Sequence, residues 1–450
     1  MLAPKISFRL PSRIAKKYLK GDMIPLQRDW ETSWTIHPVI PRRLAWIFGA
    51  LVGVGIATFL LSLKLNPMQG WQAYLINFLF WAGMAQGAVV FAAIYHVVGA
   101  KWGPTTSRLA EGAVAYLPVG LVSFLPLYFG LKHFFLHVRI VNPDRGAWFD
   151  PRFIFVRGGL GLGLMTVLSL FFVYYHLRPE VGMAQERSIA PKRWLYSWMI
   201  DGWQGENEEM MRCGRGMDFL SAGVLLAYPM IYTFMAFDLI MALDPVWYSS
   251  LFGGYFFIST FYLGLAGLAV VSVLMRWNLG DSFIPDSQLS DLGNLLLGFN
   301  LTYLAMVWGQ YIVIWYGNLP EETHFIILRV WQKPWAPLSW SVLVLSVLIP
   351  FLVFLSRRAK QIPWLVLCVG ILISTGLWIE RYVLIVPSLW TETHVPFGWI
   401  EVGITAGFLG AAGLSYLFFL QNFPLRPYNK VALASTMAEH ENAQETASRI

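Results

Sequence analysis

Cysteine is nearly absent: Cys213 and Cys368 are the only two in 450 residues. One lies in a long polar connection and the other in an apolar run. The chain therefore has no disulfide framework, no thiolate set for an iron–sulfur cluster or zinc site, and no covalent c-type haem motif. Any such redox centre is expected on another chain. Charge is also scarce, with Asp, Glu, Lys and Arg at 13%, against about 25% in soluble domains. Short alternating apolar segments of about ten residues are missing, which excludes a transmembrane β-barrel. Lys and Arg outnumber Asp and Glu by 33 to 26. In so apolar a chain that excess reports orientation and lipid headgroups, and no nucleic-acid role is read from it.

What is abundant is continuous hydrophobic sequence: 56% of residues are apolar and 16% aromatic. Runs of twenty or so apolar residues, each long enough to cross a hydrocarbon core of about 30 Å, fall at 44–63, 74–97, 110–131, 153–175, 217–243, 251–275, 292–315, 338–356, 364–386 and 397–420. The fold class is an all-α polytopic membrane protein with about ten transmembrane helices. The expected organisation is a basic cytoplasmic arm over 1–43, a transmembrane domain over 44–420 with a long cytoplasmic connection at 176–216, and a polar cytoplasmic tail over 421–450. The arm is too long and too charged for a cleaved signal peptide. Distributing basic residues over alternate loops gives 24 on the side of the termini and 8 on the other, so both termini are placed in the cytoplasm. The 176–216 connection interleaves charges with Trp194, Tyr196, Trp198 and Trp203, a composition that suits either a helix at the headgroups or a partner-binding segment.

Glycines are read as packing surfaces. Gly49 and Gly53 are spaced for close helix contact, as are Gly403, Gly407 and Gly410. The stretch RGGLGLGLM at 157–165 has no strand before it, so Gly159 and Gly163 are taken as a helix-packing face and not as a nucleotide loop.

The hairpin over 217–275 frames the functional question, because Asp238 lies inside its first run. A bare carboxylate there costs roughly 2.5–3.5 kcal/mol even on the mildest insertion scale. Asp238, Tyr255, Gln310, Glu380 and Arg381, from four runs, are expected in one layer of the periplasmic half, as a quinone pocket or proton path. Glu380 and Arg381 are neighbours on one helix and point about 100° apart, so each is expected to seek a partner elsewhere, and Asp238 with Arg381 is the obvious ion pair. A purely structural tie between helices is the competing use. Glu401 is expected at the interface. On the cytoplasmic side, His96, Glu111 and Asn300 are candidates for proton uptake, with His176 nearby.

Three strings carry a family likeness: WQAYLINFLFWAGMAQGAVVFAAIYHVVGAKWG at 71–103, AFDLIMALDPVWYSSLFGGYF at 236–256 and GQYIVIWYGNLPEET at 309–323. They resemble the ActF-type membrane subunit of bacterial alternative complex III, within the NrfD/polysulfide-reductase membrane-subunit family. The resemblance implies two four-helix bundles, runs two to five and six to nine, with two flanking helices. It implies a bacterial inner-membrane quinol:electron-acceptor oxidoreductase in which this polypeptide is inert alone. Quinone or quinol is the possible ligand. Haem c and iron–sulfur clusters would belong to partners: a sister NrfD-like subunit, an iron–sulfur subunit and a multihaem cytochrome c subunit. No residue-level catalytic motif comes with the likeness. An ion-coupled secondary transporter and a purely structural scaffold subunit are the alternatives.

Overall fold

Apolar backbone in a bilayer has no water to bond to, so long hydrophobic runs close their hydrogen bonds internally as helices. The computed structural model describes residues 41–425 apart from 142–147, 149, 189, 191, 192, 245, 391 and 393. Almost all of the expected arm and tail lies outside the described residues. Among the described residues there is no strand. Nine helices there are long and apolar enough to span a membrane, or ten if one bent pair is a single span.

In chain order the elements are α1 (Arg42–Leu65), α2 (Pro67–Val97), α3 (Pro104–Glu111), a 3₁₀ turn (Gly112–Tyr116), α4 (Leu117–Phe124), α5 (Leu127–Val141), α6 (Pro151–Glu186), α7 (Trp194–Met199) and α8 (Glu206–Leu239). They continue with α9 (Leu251–Leu279), α10 (Asp286–Gly317), α11 (Pro320–Val330), α12 (Ala336–Leu343), a π turn (Val344–Leu348), α13 (Ile349–Phe354), α14 (Pro363–Leu389) and α15 (Trp399–Asn422).

Two helices form the interior. The apolar window of α2 is 78% buried and that of α9 67%, against 11% for α1. They cross where Gly87 meets Gly264: a Cβ on Gly87 would lie 2.5 Å from the Thr260 carbonyl oxygen, and one on Gly264 would lie 2.5 Å from the Ala88 nitrogen. The absence of both side chains lets the two backbones touch. Around this axis α8 packs on α6, α2 and α9, α10 and α14 pack on α9, and α1 pairs along its length with α15.

The third predicted span is not one helix. It begins at Pro104, passes through the 3₁₀ turn, and breaks between α4 and α5 with a bend of 53°. Pro126 stands at that break, where it removes a donor and crowds the preceding turn. The 176–216 connection is also more helical than its composition suggests. α6 continues to Glu186 because Leu177–Ala184 stays buried, and α8 starts at Glu206 with Glu206, Glu208 and Glu209 in its first turn, where acidic side chains complement the helix dipole. Only the six-residue α7 lies between them, with Tyr196 and Met199 buried and Trp194 and Trp198 exposed.

The glycine reading holds for α15 and is displaced on α1. A Cβ on Gly407 would fall 2.6 Å from the Gly55 Cα, and one on Gly403 or Gly410 would strike Thr58 or the Phe48 carbonyl. Gly49 and Gly53 have nothing within 4 Å, so Gly55 is the contact on α1. On α6, Gly163 is open, while Gly161 abuts Ile231 at 3.1 Å. Gly407→Ala is therefore expected to destabilise the protein by about 1–3 kcal/mol through overpacking, whereas Gly49→Ala should leave it unchanged. Thermal unfolding in detergent compares the two.

Candidate functional site

α14 brings Glu380 and Arg381 into the interior, where they are 3% and 0% exposed. Glu380 Oε1 accepts from the Tyr303 hydroxyl at 2.9 Å and from the Tyr255 hydroxyl, and Oε2 accepts from Ser259 Oγ at 2.8 Å. Arg381 Nη1 pairs with Glu380 Oε2 and donates to Ser259 Oγ at 2.6 Å. This corrects the expectation that adjacent residues on a helix cannot meet. Their Cβ directions diverge, but the guanidinium stem is long enough to fold back over its own turn. Arg381 Nε and Nη2 remain without a protein partner.

The cluster extends through aromatic rings. Tyr255 lies 5.8 Å from Tyr303, and Tyr303 lies 5.9 Å from Tyr262, centroid to centroid. Tyr262 donates to the Ser346 carbonyl at 3.0 Å, and Asn300 Nδ2 reaches the Tyr262 oxygen and the same carbonyl at 2.9 Å each. Ser346 lies in the π turn of Val344–Leu348, where the wider helical register leaves carbonyls free for side-chain donors. Asn300, expected on the cytoplasmic side, thus belongs with Tyr255, Glu380 and Arg381.

Asp238 does not pair with Arg381. Its carboxylate is held by Nε and Nη2 of Arg157 on α6, a residue inside the run at 153–175 that was not among the expected site residues. Arg157 is within reach because α6 starts, and α8 ends, at the same end of the bundle. Trp148 and Phe153 lie over its guanidinium at 4.1 and 4.8 Å, and Arg157 Nη1 has no protein partner. The pair borders a cavity of about 240 Å³ lined also by Gly158, Gly161, Ile231 and Met235. The fifth candidate, Gln310, bonds Ser249 at 2.8 Å and stands apart from both groups. The single expected layer is therefore three separate sites.

At this same end, Asp244 accepts from the backbone nitrogens of Val246 and Trp247 at 3.3 and 3.2 Å and from His324 Nε2 at 3.0 Å. Trp247 stacks on Phe325 at 3.6 Å, with Arg329 over the other ring at 3.4 Å. Burial pushes the Arg329 guanidinium down to about 9, with Asp244 opposing the shift.

The opposite end holds a second charged network. Buried Arg108 donates to Glu111 at 2.9 Å and to Glu180 at 2.5 Å, and His176 Nδ1 lies 2.6 Å from the other Glu111 oxygen. Arg178 grips Glu209 through two bonds of 2.8 and 3.1 Å. His96 pairs with the exposed Asp218 at 2.8 Å. Glu111 was expected at a headgroup boundary, yet it is 1% exposed, because α3 begins at Pro104 and carries it inside. Glu401 is likewise buried, accepting from Gln69 at 2.8 Å and from the Gly398 nitrogen at 2.7 Å. Between the two ends lie the pairs Gln86–Ser169 at 3.0 Å and Tyr228–Thr260.

Arg157, Arg108 and Glu180 were missed in the sequence. The signal was available for Arg108 and Glu111, whose i, i+3 spacing places them on one helix face. Removing one partner of a buried ion pair strands the other charge, so Arg157→Met is expected to cost about 3–5 kcal/mol. The double variant Arg157→Met/Asp238→Leu should recover most of that loss, as read by unfolding titration in mixed micelles. Against known proteins, no family model matches the chain and no curated protein matches it.

Proposed function

We propose that this chain is the proton-handling integral-membrane subunit of a quinol:electron-acceptor oxidoreductase of the alternative complex III type, in a bacterial inner membrane with both termini cytoplasmic. The observation that carries the reading is the Glu380 carboxylate, buried among Tyr255, Tyr303, Ser259 and Arg381. A cluster so costly to keep at membrane depth suits a group that takes up and passes protons. Hydroxyl-bearing residues continue from it, since Thr260 follows Ser259 on α9 and bonds Tyr228. Gln86 and Ser169 lie further along, and two helical turns beyond Ser169 on α6 is His176 beside Glu111. The strings at 236–256 and 309–323 support the assignment to the complex.

The residues around the 240 Å³ cavity fit a quinol head. Asp238 offers a carboxylate acceptor within an apolar lining. A bound quinol supplies two electrons to partner-held carriers and two protons to the protein. Asp238 would receive a proton at its carboxylate oxygen, Arg157 would hold that carboxylate in place, and Trp148 would help exclude water. Haem and iron–sulfur carriers are assigned to partner subunits, in line with the two cysteines of this chain.

In the assembled complex, Glu380→Gln keeps the size of the side chain and removes its proton affinity. Quinol turnover coupled to proton release is expected to fall at least about a hundredfold, the lower range for loss of a positioned acid–base group. Unchanged turnover and proton yield, with the complex intact, would leave the chain as a scaffold.

A further inference from the structure

A further cavity lies away from the Glu380 and Asp238 groups. It is a groove of about 900 Å³ between α15 and the α9–α14 face, floored by α2 and the 3₁₀ turn. It runs from Trp378, Phe397 and Glu401 at one end to Leu44, Met275 and Leu420 at the other. From Glu401 to Leu420 along α15 is about 29 Å at 1.5 Å per residue, the thickness of a hydrocarbon core.

We infer that this groove seats the acyl chains of an anionic phospholipid, with its phosphate against Arg42 and Arg43. Three observations carry this. First, the volume is that of a small-molecule site, whereas a spanning helix fills roughly 2,400–3,400 Å³ as a cylinder 30 Å long and 10–12 Å wide. Second, the lining is almost wholly apolar, and most of its polar atoms are not available to a ligand. Trp81 Nε1, Tyr116 Oη and Thr405 Oγ1 are sealed from its surface. Trp378 Nε1 donates to Asn77 at 3.2 Å, Tyr416 donates to the Leu109 carbonyl at 2.7 Å, and Glu401 is held by Gln69 and Gly398. The groove offers a hydrocarbon chain continuous contact and offers a carbonyl or hydroxyl head little beyond Ser374 and Thr375. Third, Arg42 and Arg43 are exposed and immediately precede Leu44, which lines the mouth. Among the described residues neither forms an ion pair, which leaves both free for a phosphate.

The test uses the full chain, extracted with whatever subunits accompany it, and native mass spectrometry after exposure to phosphatidylcholine vesicles doped with phosphatidylglycerol. The expected result is selective retention of phosphatidylglycerol. Arg42→Gln/Arg43→Gln should weaken that retention roughly thirtyfold, at about 1 kcal/mol per cation, and should leave phosphatidylcholine unaffected. Ala412→Trp, which fills the groove from α15, should displace both lipids. A photocrosslinker at position 412 reads the same site without relying on that variant's folding. Equal retention of the two lipids, retention indifferent to both variants, crosslinking to a protein, or displacement by a decyl-chain benzoquinone would each overturn the inference. None of these outcomes bears on Glu380, so this inference and the proposed function fail independently.

Discussion

Inside this bundle a charged side chain must find its hydrogen-bond partners within the chain, most often a counter-charge, because neither lipid nor water is there to supply them. That constraint shapes the interior. Four arginines hold buried carboxylates: Arg381 with Glu380, Arg157 with Asp238, Arg108 with Glu111 and Glu180, and Arg178 with Glu209. Lysine holds none of these five carboxylates. A guanidinium holds its proton more firmly than an ammonium and presents donors in a fork that fits two oxygens, whereas a buried ammonium can shed its charge. Arginine therefore fixes the positive partner, and any exchange of protons falls to the carboxylates, the hydroxyls and His176.

The two ends of the bundle solve the constraint differently. At the α3 and α6 end, charges sit in a shared network in which one arginine serves two carboxylates and a histidine serves one of them. Protonating that histidine changes the net charge of the network by one. At the other end the pairs are separated, with Asp238 beside an apolar cavity and Glu380 enclosed by tyrosines.

The helical class was legible in the sequence, because it depends on a one-dimensional pattern of hydropathy. Partners were not, because they depend on helix rotation and side-chain reach. Asp238 was matched with Arg381 at similar depth, yet α8 turns it toward Arg157 on α6. Gln310 shares that depth and faces Ser249 instead. On α1 the glycine spacing was visible and its phase was not: Gly55 contacts α15, while Gly49 and Gly53 face open space. The break near Pro126 had a signal in the proline itself, which the continuous apolar run obscured. The π turn that turns the Ser346 carbonyl to Tyr262 and Asn300 had none.

The inventory of lone pairs on Glu380 gives its chemistry a specific form. An ionised carboxylate accepts at about four positions. Here Oε1 takes two tyrosine hydroxyls, and Oε2 takes the Ser259 hydroxyl and an Arg381 nitrogen. All four are filled, so the anion is the state for which the cluster is built. A proton can enter only if one donor withdraws. Arg381 cannot, being anchored also by its charge. Of the hydroxyls, Ser259 both donates to Glu380 and accepts from Arg381 at 2.6 Å, so turning its hydrogen away costs one bond and leaves the other intact. On the proposed proton-handling role, rotation of the Ser259 hydroxyl would open Glu380 to a proton while keeping the contact with Arg381.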